Sequence, residues 1–129
     1  MNKIIITILF LLLAGLTGCA TKTTEQVLQS TLRSYERVLR WGDIAKTNNF
    51  RKEPISLSAA EKQKFKFIKV TSYDVQNITR PDDLTVKVEV ALRYYHKDYA
   101  REKTIEDHQV WQHDAKKKLW FLSSPLPKF

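Results

Sequence analysis

The stretch LTVKVEVALRYY, residues 84–95, alternates apolar and polar side chains more regularly than any other part of the chain. Successive side chains of a β-strand point to opposite faces. One face would therefore carry Leu84, Val86, Val88, Val90, Leu92 and Tyr94. This alternation is typical of an antiparallel strand with one face on a core and the other in solvent. We predict a half-buried strand here, in a sheet that other elements must cover.

Three further segments are rich in β-branched and aromatic residues, which favour strands. They are residues 65–78, 104–113 and 119–122. The predicted connections are a turn at 80–83, a long polar connection at 96–103 and a turn at 114–117. The pattern predicts four antiparallel strands joined by hairpins.

Helical signals precede the strands. Thr23 and Gln26 have the spacing of a capping box, and an apolar stripe at helical spacing follows over residues 24–40. Gly42 is expected to end this helix, and Asp43 to cap a short second helix or turn. Ser58 is expected to cap a third helix, from Ala59 to about Lys64. The stripe, extended by Tyr35 and Trp41, could lie on a membrane, but its aromatic composition favours packing on the sheet. Helices followed by hairpin-linked strands predict an α+β domain.

The N-terminus carries a targeting pattern. Lys3 precedes an apolar run at 4–14, which as a helix would rise only about 16 Å, about half the ~30 Å hydrocarbon core of a bilayer. The small residues Thr17 and Gly18 then precede Cys19, the only cysteine of the chain. A buried core helix or an ordinary cleaved signal would leave that position of the cysteine unexplained.

The segment Leu16-Thr17-Gly18-Cys19 resembles the lipobox of bacterial lipoproteins. The resemblance implies that diacylglycerol is attached to the Cys19 sulfur, that the chain is cut after Gly18, and that the new amine is acylated. Residues 1–18 would be the signal peptide, 19–23 a lipidated tether and 24–129 a single domain. Ala20, where an Asp would favour the inner membrane, implies the outer membrane facing the periplasm. The expected partner is thus the membrane, held through lipid on Cys19.

The charge of the chain is basic. Residues 19–129 keep 21 of the 22 Lys and Arg and all 14 Asp and Glu, a net charge of +7. For an exported lipoprotein, the expected counter-ions are anionic lipid headgroups, lipopolysaccharide and cell-wall polymers. Nucleic acid is not an expected partner. A basic face kept for solubility is nevertheless the favoured interpretation, because the Lys and Arg are spread along the chain. With its thiol lipidated, the chain forms no disulfide, and no cofactor is expected.

The whole pattern also resembles the nuclear transport factor two-like, or cystatin-like, cone fold. The segments that carry the resemblance are Arg40-Trp41-Gly42-Asp43, Val86-Lys87-Val88-Glu89-Val90, Gln109-Val110-Trp111 and Leu119-Trp120-Phe121-Leu122. It implies N-terminal helices packed on a curved antiparallel sheet of about four strands, with a pocket at the wide end of the cone. Members of this superfamily include ketosteroid isomerases, polyketide cyclases and many binding, dimerisation or accessory modules, so the fold alone leaves the function open.

Few residues suggest catalysis. A base in such a cone would be Asp74 or His96, with Tyr73, Tyr94 and Asp98 as further candidates. Tyr35, Tyr94 and Trp111 are the candidates to line a pocket. His108 and His113 are an odd number apart and would face opposite sides of a strand, so no metal site is expected.

The leading hypothesis is a non-catalytic, lipid-anchored module that binds an envelope protein or a small apolar ligand. An isomerase- or cyclase-type enzyme that uses Asp74 or His96 is the alternative. A third possibility is a structural protein that forms a homodimer through the outer face of the sheet.

Overall fold

The computed structural model describes residues 21–129. The predicted signal peptide and the lipidation site at Cys19 lie outside the described residues. The prediction of an α+β fold is confirmed: helices come first and pack on a curved, open, antiparallel sheet of four strands.

Three helices open the described chain. They are α1 (Thr24–Trp41), a 3₁₀ helix (Ile44–Phe50) and α2 (Ala59–Phe67). α1 begins with the predicted capping box, in which the Thr23 side chain accepts from Gln26 N and the Gln26 side chain accepts from Thr23 N. The same arrangement of Ser58 and Glu61 begins α2. Each box satisfies two backbone N–H groups that the first turn would leave unpaired.

The sheet has the order β1-β2-β3-β4, in which every neighbouring pair is antiparallel. The strands are β1 (Ile68–Asp82), β2 (Thr85–His96), β3 (Tyr99–Asp114) and β4 (Leu119–Leu122). The β1–β2 pairing shifts its register at three places, near Thr71, Gln76 and Arg80. Such β-bulges bend a strand and increase its twist, which gives this sheet its curvature.

The core lies between α1 and the inner face of the sheet. α1 packs on β1, on β4 and on the 3₁₀ helix. At the centre, Tyr35, Phe50 and Trp111 meet edge to face, with Tyr35 at 5.3 Å from each of the other two ring centroids. The inner face of β2 is buried from Val86 to Tyr94, as the alternation predicts. Packed aromatic and aliphatic side chains hold the helix layer to the sheet.

The strands are longer than predicted. The turn expected at 80–83 is a two-residue turn at 83–84, and the connection expected at 96–103 is a turn at 97–98 from which β3 begins. Both segments are rich in charged residues, and this composition predicts loops. In the structure, most of their residues belong to strands, and their backbones pair with the next strand. α2 also runs to Phe67, so the first strand begins at Ile68 rather than at residue 65.

Two apolar residues expected in the core lie outside it. Leu84 falls in the turn between β1 and β2 and is 54% exposed. Trp41 ends α1 and is 64% exposed, with the Arg40 guanidinium 4.1 Å from its ring centroid. Leu84 immediately precedes β2 and Trp41 is the last residue of α1, so each lies at the end of the element whose period placed it in the core.

Candidate binding site

The sheet has two ends that carry different turns, which we call the proximal and the distal end. The proximal end holds the start of α1 at Thr24 and the turns at 83–84 and 115–118. Backbone and side-chain bonds join these parts: His113 N donates to Leu84 O, and Trp120 Nε1 donates to Thr24 O. The distal end holds the turn at 97–98 and the end of α1. α1 runs between the two ends and, with 18 residues, is about 27 Å long.

A pocket of about 370 Å³ opens at the distal end and is called the distal pocket below. Its lining is Tyr94, His96, Tyr99, Arg101 and Lys103. These residues share a face because side chains alternate along each strand and because Tyr94 pairs with Lys103 and His96 with Tyr99. The β2–β3 hairpin therefore assembles the whole pocket from two short, adjacent stretches.

Aromatic rings form one wall of the distal pocket. The His96 ring stacks on Phe67, with centroids 5.3 Å apart and planes 3° apart, and lies 5.0 Å from the Tyr99 ring. Tyr94 packs against Phe129 at 5.0 Å. His96 Nδ1 accepts a hydrogen bond from Asp98 N at 3.3 Å, which orients the ring. The wall is thus rigid on its inner side, and Tyr99 remains 68% exposed at the rim.

Two cations form the other side of the distal pocket. Within residues 21–129, neither Arg101 nor Lys103 forms an ion pair or a side-chain hydrogen bond. Glu102, between them, turns to the opposite face, where it accepts from Thr71 Oγ1 at 2.9 Å and lies 3.8 Å from Arg93. Among the described residues no carboxylate lines the pocket, although Asp98 Oδ2 lies 3.9 Å from His96 Nδ1. Such a lining suits an acidic group on an apolar or aromatic body.

A polar cluster lies deeper on the inner face of β3, and sequence reasoning missed its central residue. Gln109 Nε2 donates to Asp107 Oδ2 at 2.8 Å and to the Tyr73 hydroxyl at 3.0 Å, while Gln109 Oε1 accepts from Trp111 Nε1 at 3.0 Å. Burial raises the pKa of the Asp107 carboxyl, and the hydrogen bond from Gln109 opposes that rise only in part. The signal was available: Asp107 is an even number of residues from Trp111, so both face the core.

The tyrosines beside this cluster stay neutral. Burial raises the pKa of Tyr73 and of Tyr35 above the ordinary value, and the negative charge of Asp107 adds to both effects. The Tyr35 hydroxyl is fully buried and has no hydrogen-bond partner. The cluster therefore fixes the core, with Gln109 at its centre.

The structure brings two of the sequence candidates together. Tyr94 and His96 line the distal pocket. Tyr35 and Trp111 instead fill the centre of the core. Asp74 is exposed on β1, where its carboxylate accepts a hydrogen bond from Ser72 Oγ, and it does not line the distal pocket. Arg101 and Lys103 are not among the sequence candidates, because the charged composition of residues 96–103 predicts a loop.

A larger cleft, of about 720 Å³, lies nearer the proximal end, between residues 51–55 and the β3–β4 hairpin. Two of its cations already bond to the protein, whereas Glu53 and Lys116 of its lining form no ion pair within residues 21–129. Lys52 Nζ lies 2.7 Å from Asp114 Oδ2, and the Arg51 guanidinium donates to Ser124 O. Lys52 and the backbone N–H groups of Lys117 and Lys116 hold the pKa of Asp114 down, at about 2. A ligand that engages Arg51 or Lys52 would have to displace these bonds, and Glu53 and Asp114 line the same cleft, so the distal pocket is the better candidate for an acidic ligand.

Comparison with family models, curated proteins and solved structures finds no match to this chain. Among residues 21–129, no three His, Cys, Asp or Glu side chains lie together in a way that could hold a metal ion. Within the same residues, the helices fall short of the length and apolar character needed to cross a bilayer.

Proposed function

We propose that this protein is a lipid-anchored lipoprotein of the bacterial envelope, and that it acts as a non-catalytic binding module. Its ligand would be a small apolar molecule that carries an acidic group, held in the distal pocket. The observation that carries this proposal is the pair Arg101 and Lys103, which stand without ion pairs beside the aromatic wall of Tyr94, His96 and Tyr99. An acid placed there would gain charge-assisted hydrogen bonds that no group of the protein supplies.

The anchor in this proposal is Cys19, in the sequence Leu16-Thr17-Gly18-Cys19. Several acyl chains, at about 0.8 kcal/mol per buried methylene, would hold the protein on a membrane. Ala20 supports the outer membrane, with the domain in the periplasm. The first described residues lie at the proximal end, so the distal pocket would open away from the bilayer.

The alternative, an isomerase- or cyclase-type enzyme, needs a base within hydrogen-bond reach of a bound substrate. His96 is the candidate base in the distal pocket, but its Nδ1 accepts from Asp98 N. Asp74 is exposed outside the pocket, and Asp107 is bonded to Gln109 in the core. This placement favours binding over catalysis at the distal pocket.

The anchor is tested by Cys19→Ser. We expect this variant to lose incorporation of labelled palmitate and to leave the membrane fraction. Ala20→Asp serves as the matched control, since it keeps the thiol: it should remain labelled but move from outer- to inner-membrane fractions. Undiminished labelling of Cys19→Ser would contradict the proposed anchor.

The pocket is tested with 8-anilinonaphthalene-1-sulfonate, an aromatic anion whose fluorescence rises in apolar sites. We expect dodecanoate to displace it and dodecanol, which lacks the acid, to compete poorly. Arg101→Glu combined with Lys103→Glu should weaken dodecanoate binding by at least about tenfold, since a charged hydrogen bond contributes about 1.5–3 kcal/mol. Lys116→Glu combined with Lys117→Glu makes the same charge change at the proximal end and should leave binding unaltered. Equal binding of acid and alcohol would refute an acidic ligand.

A further inference from the structure

The first described residues lie directly beside the β3–β4 turn. Thr21, Lys22 and Thr23 line one surface pocket together with Ala115 and Lys118 of that turn. Only Ala20 separates Thr21 from Cys19, and a chain reaches at most about 3.6 Å per residue. The Cα atom of Cys19 is therefore within about 7 Å of that of Thr21. A membrane that holds Cys19 must lie close to this turn.

The turn presents three adjacent lysines, Lys116, Lys117 and Lys118, and all three are exposed. Its geometry is fixed by Asp114 Oδ1, which accepts from Lys116 N at 3.0 Å and from Lys117 N at 2.9 Å. Lys118 takes a left-handed backbone conformation, with φ of 54°. Among the described residues no ion pair neutralises these three ammonium groups, because Asp114 is paired with Lys52. The fold thus holds three exposed ammonium groups on one turn, of which Lys117 also lies 5.5 Å from the Phe121 ring centroid.

The surroundings of the turn leave this charge in excess. The end of β1 and the turn after it add Asp82 and Asp83, and Glu53 lines a cleft with Lys116. Three carboxylates thus stand against four cations, the three lysines and Lys22. Glu25 is paired with Arg80 at 2.8 Å. Leu84 and Leu119, at 54% and 47% exposure, add two apolar side chains to the same end. Cations next to exposed leucines are the composition of a surface that meets lipid headgroups.

We propose that the turn at residues 115–118 contacts the anionic headgroups of the membrane in which the lipid anchor is embedded. This proposal rests on the anchor at Cys19 proposed above. The anchor alone fixes one point of the domain and leaves its tilt free. The lysine contacts would fix the tilt, with α1 directed away from the bilayer and the distal pocket at the far end of the sheet. Each lysine near an anionic surface should favour the contact about fivefold.

The experiment uses the full lipidated protein, reconstituted into vesicles of phosphatidylcholine alone or of phosphatidylcholine with phosphatidylglycerol. A water-soluble amine reagent acetylates the lysines, and mass spectrometry measures the rate at each site. We expect Lys116, Lys117 and Lys118 to react severalfold more slowly on the anionic vesicles. High salt should remove this protection because it screens the headgroup charge. Lys62, Lys64 and Lys66, exposed on α2, should react at similar rates on both vesicles.

Charge reversal supplies the matched test. Lys116, Lys117 and Lys118 are changed together to Glu, and in a second protein Lys62, Lys64 and Lys66 are changed in the same way. On anionic vesicles the first variant should expose Lys22 to faster acetylation, and the second should not. Protein that floats with both vesicles yet shows equal lysine rates would overturn the membrane contact while the anchor stands. Protein that does not float at all would overturn the anchor, and with it this proposal.

Discussion

The inner face of β3 has two parts, and they show how one strand serves two purposes. Toward the proximal end, Asp107, Gln109 and Trp111 are buried under α1 and bonded to one another. Toward the distal end, Tyr99, Arg101 and Lys103 continue the same face and are exposed. The difference lies in what covers them, because Tyr35 of α1 and Phe50 of the 3₁₀ helix pack on Trp111 in the first part. Beyond the packed helices, charged side chains such as Arg101 and Lys103 stay exposed on this face and are available for binding.

The largest effect is expected from truncating one aromatic residue in each part of β3. Trp111→Ala should destabilise the protein by about 3–5 kcal/mol, because it removes a fully buried side chain from contact with Tyr35 and Phe50. Tyr99→Ala should change stability by no more than about 0.5 kcal/mol, because Tyr99 is largely exposed. Urea denaturation measures both. Similar losses of stability in the two variants would mean that the distal part of β3 belongs to the core, which would contradict the division of the strand into two parts.

Much of this arrangement was predictable from the sequence. Period-two alternation placed Val86, Val88 and Val90 on the buried face, and capping residues placed the starts of α1 and α2. Both signals are local, so a single sequence carries them. The predicted loops at 80–83 and 96–103 were wrong for a physical reason. Charged residues favour solvent, and an uncovered strand meets that preference as well as a loop does.

The site was less predictable than the fold. Tyr94 and His96 were candidates because they continue the alternation of β2, and they line the distal pocket. Arg101 and Lys103 could not be assigned to it, since their position depends on the register that pairs Tyr94 with Lys103. Register is a non-local property that depends on the turn at 97–98, and the charged composition of that segment concealed the turn.

A smaller loss is expected from Gln109→Leu, which tests whether the polar cluster holds the covered part of β3 together. The change removes the partner of Asp107, of Tyr73 and of Trp111 Nε1 at once. Buried polar groups without partners cost about 1–3 kcal/mol each, so we expect a loss of about 3 kcal/mol after relaxation. Gln112→Leu, on the exposed face of the same strand, is the control and should be nearly neutral. If Gln109→Leu left the stability unchanged, the polar cluster would make no contribution to stability.

The Asp107 carboxyl gives the covered part of β3 its own pH dependence. Because burial raises the pKa of Asp107, the contribution of this carboxyl to stability is most favourable below its ordinary pKa of 3.8, where it is protonated in both the folded and the unfolded state. That advantage is lost as the pH rises through the pKa of the folded protein. Asp107→Asn cannot ionise, so its stability relative to the native protein should rise between acid and neutral pH. The two proteins share every other titrating group, which cancels in the difference. A difference that is constant with pH would contradict a buried, ionising carboxyl.

The smallest effect is expected at the proximal end, where a carboxyl titrates in the opposite sense. Asp114 has a pKa of about 2, because Lys52 and the N–H groups of Lys117 and Lys116 stabilise its charged form. Its contribution to stability is therefore present above 3.8 and is lost as the pH falls through about 2. In Lys52→Ala, the carboxyl carbon followed by NMR should titrate at higher pH, yet still below 3.8, because the two backbone donors remain. Lys46→Ala removes the same charge from the exposed side of the 3₁₀ helix and should not move the titration. If Lys52→Ala also left it unmoved, the turn alone would hold Asp114 charged, and the lysine turn would be rigid without its bond to residue 52.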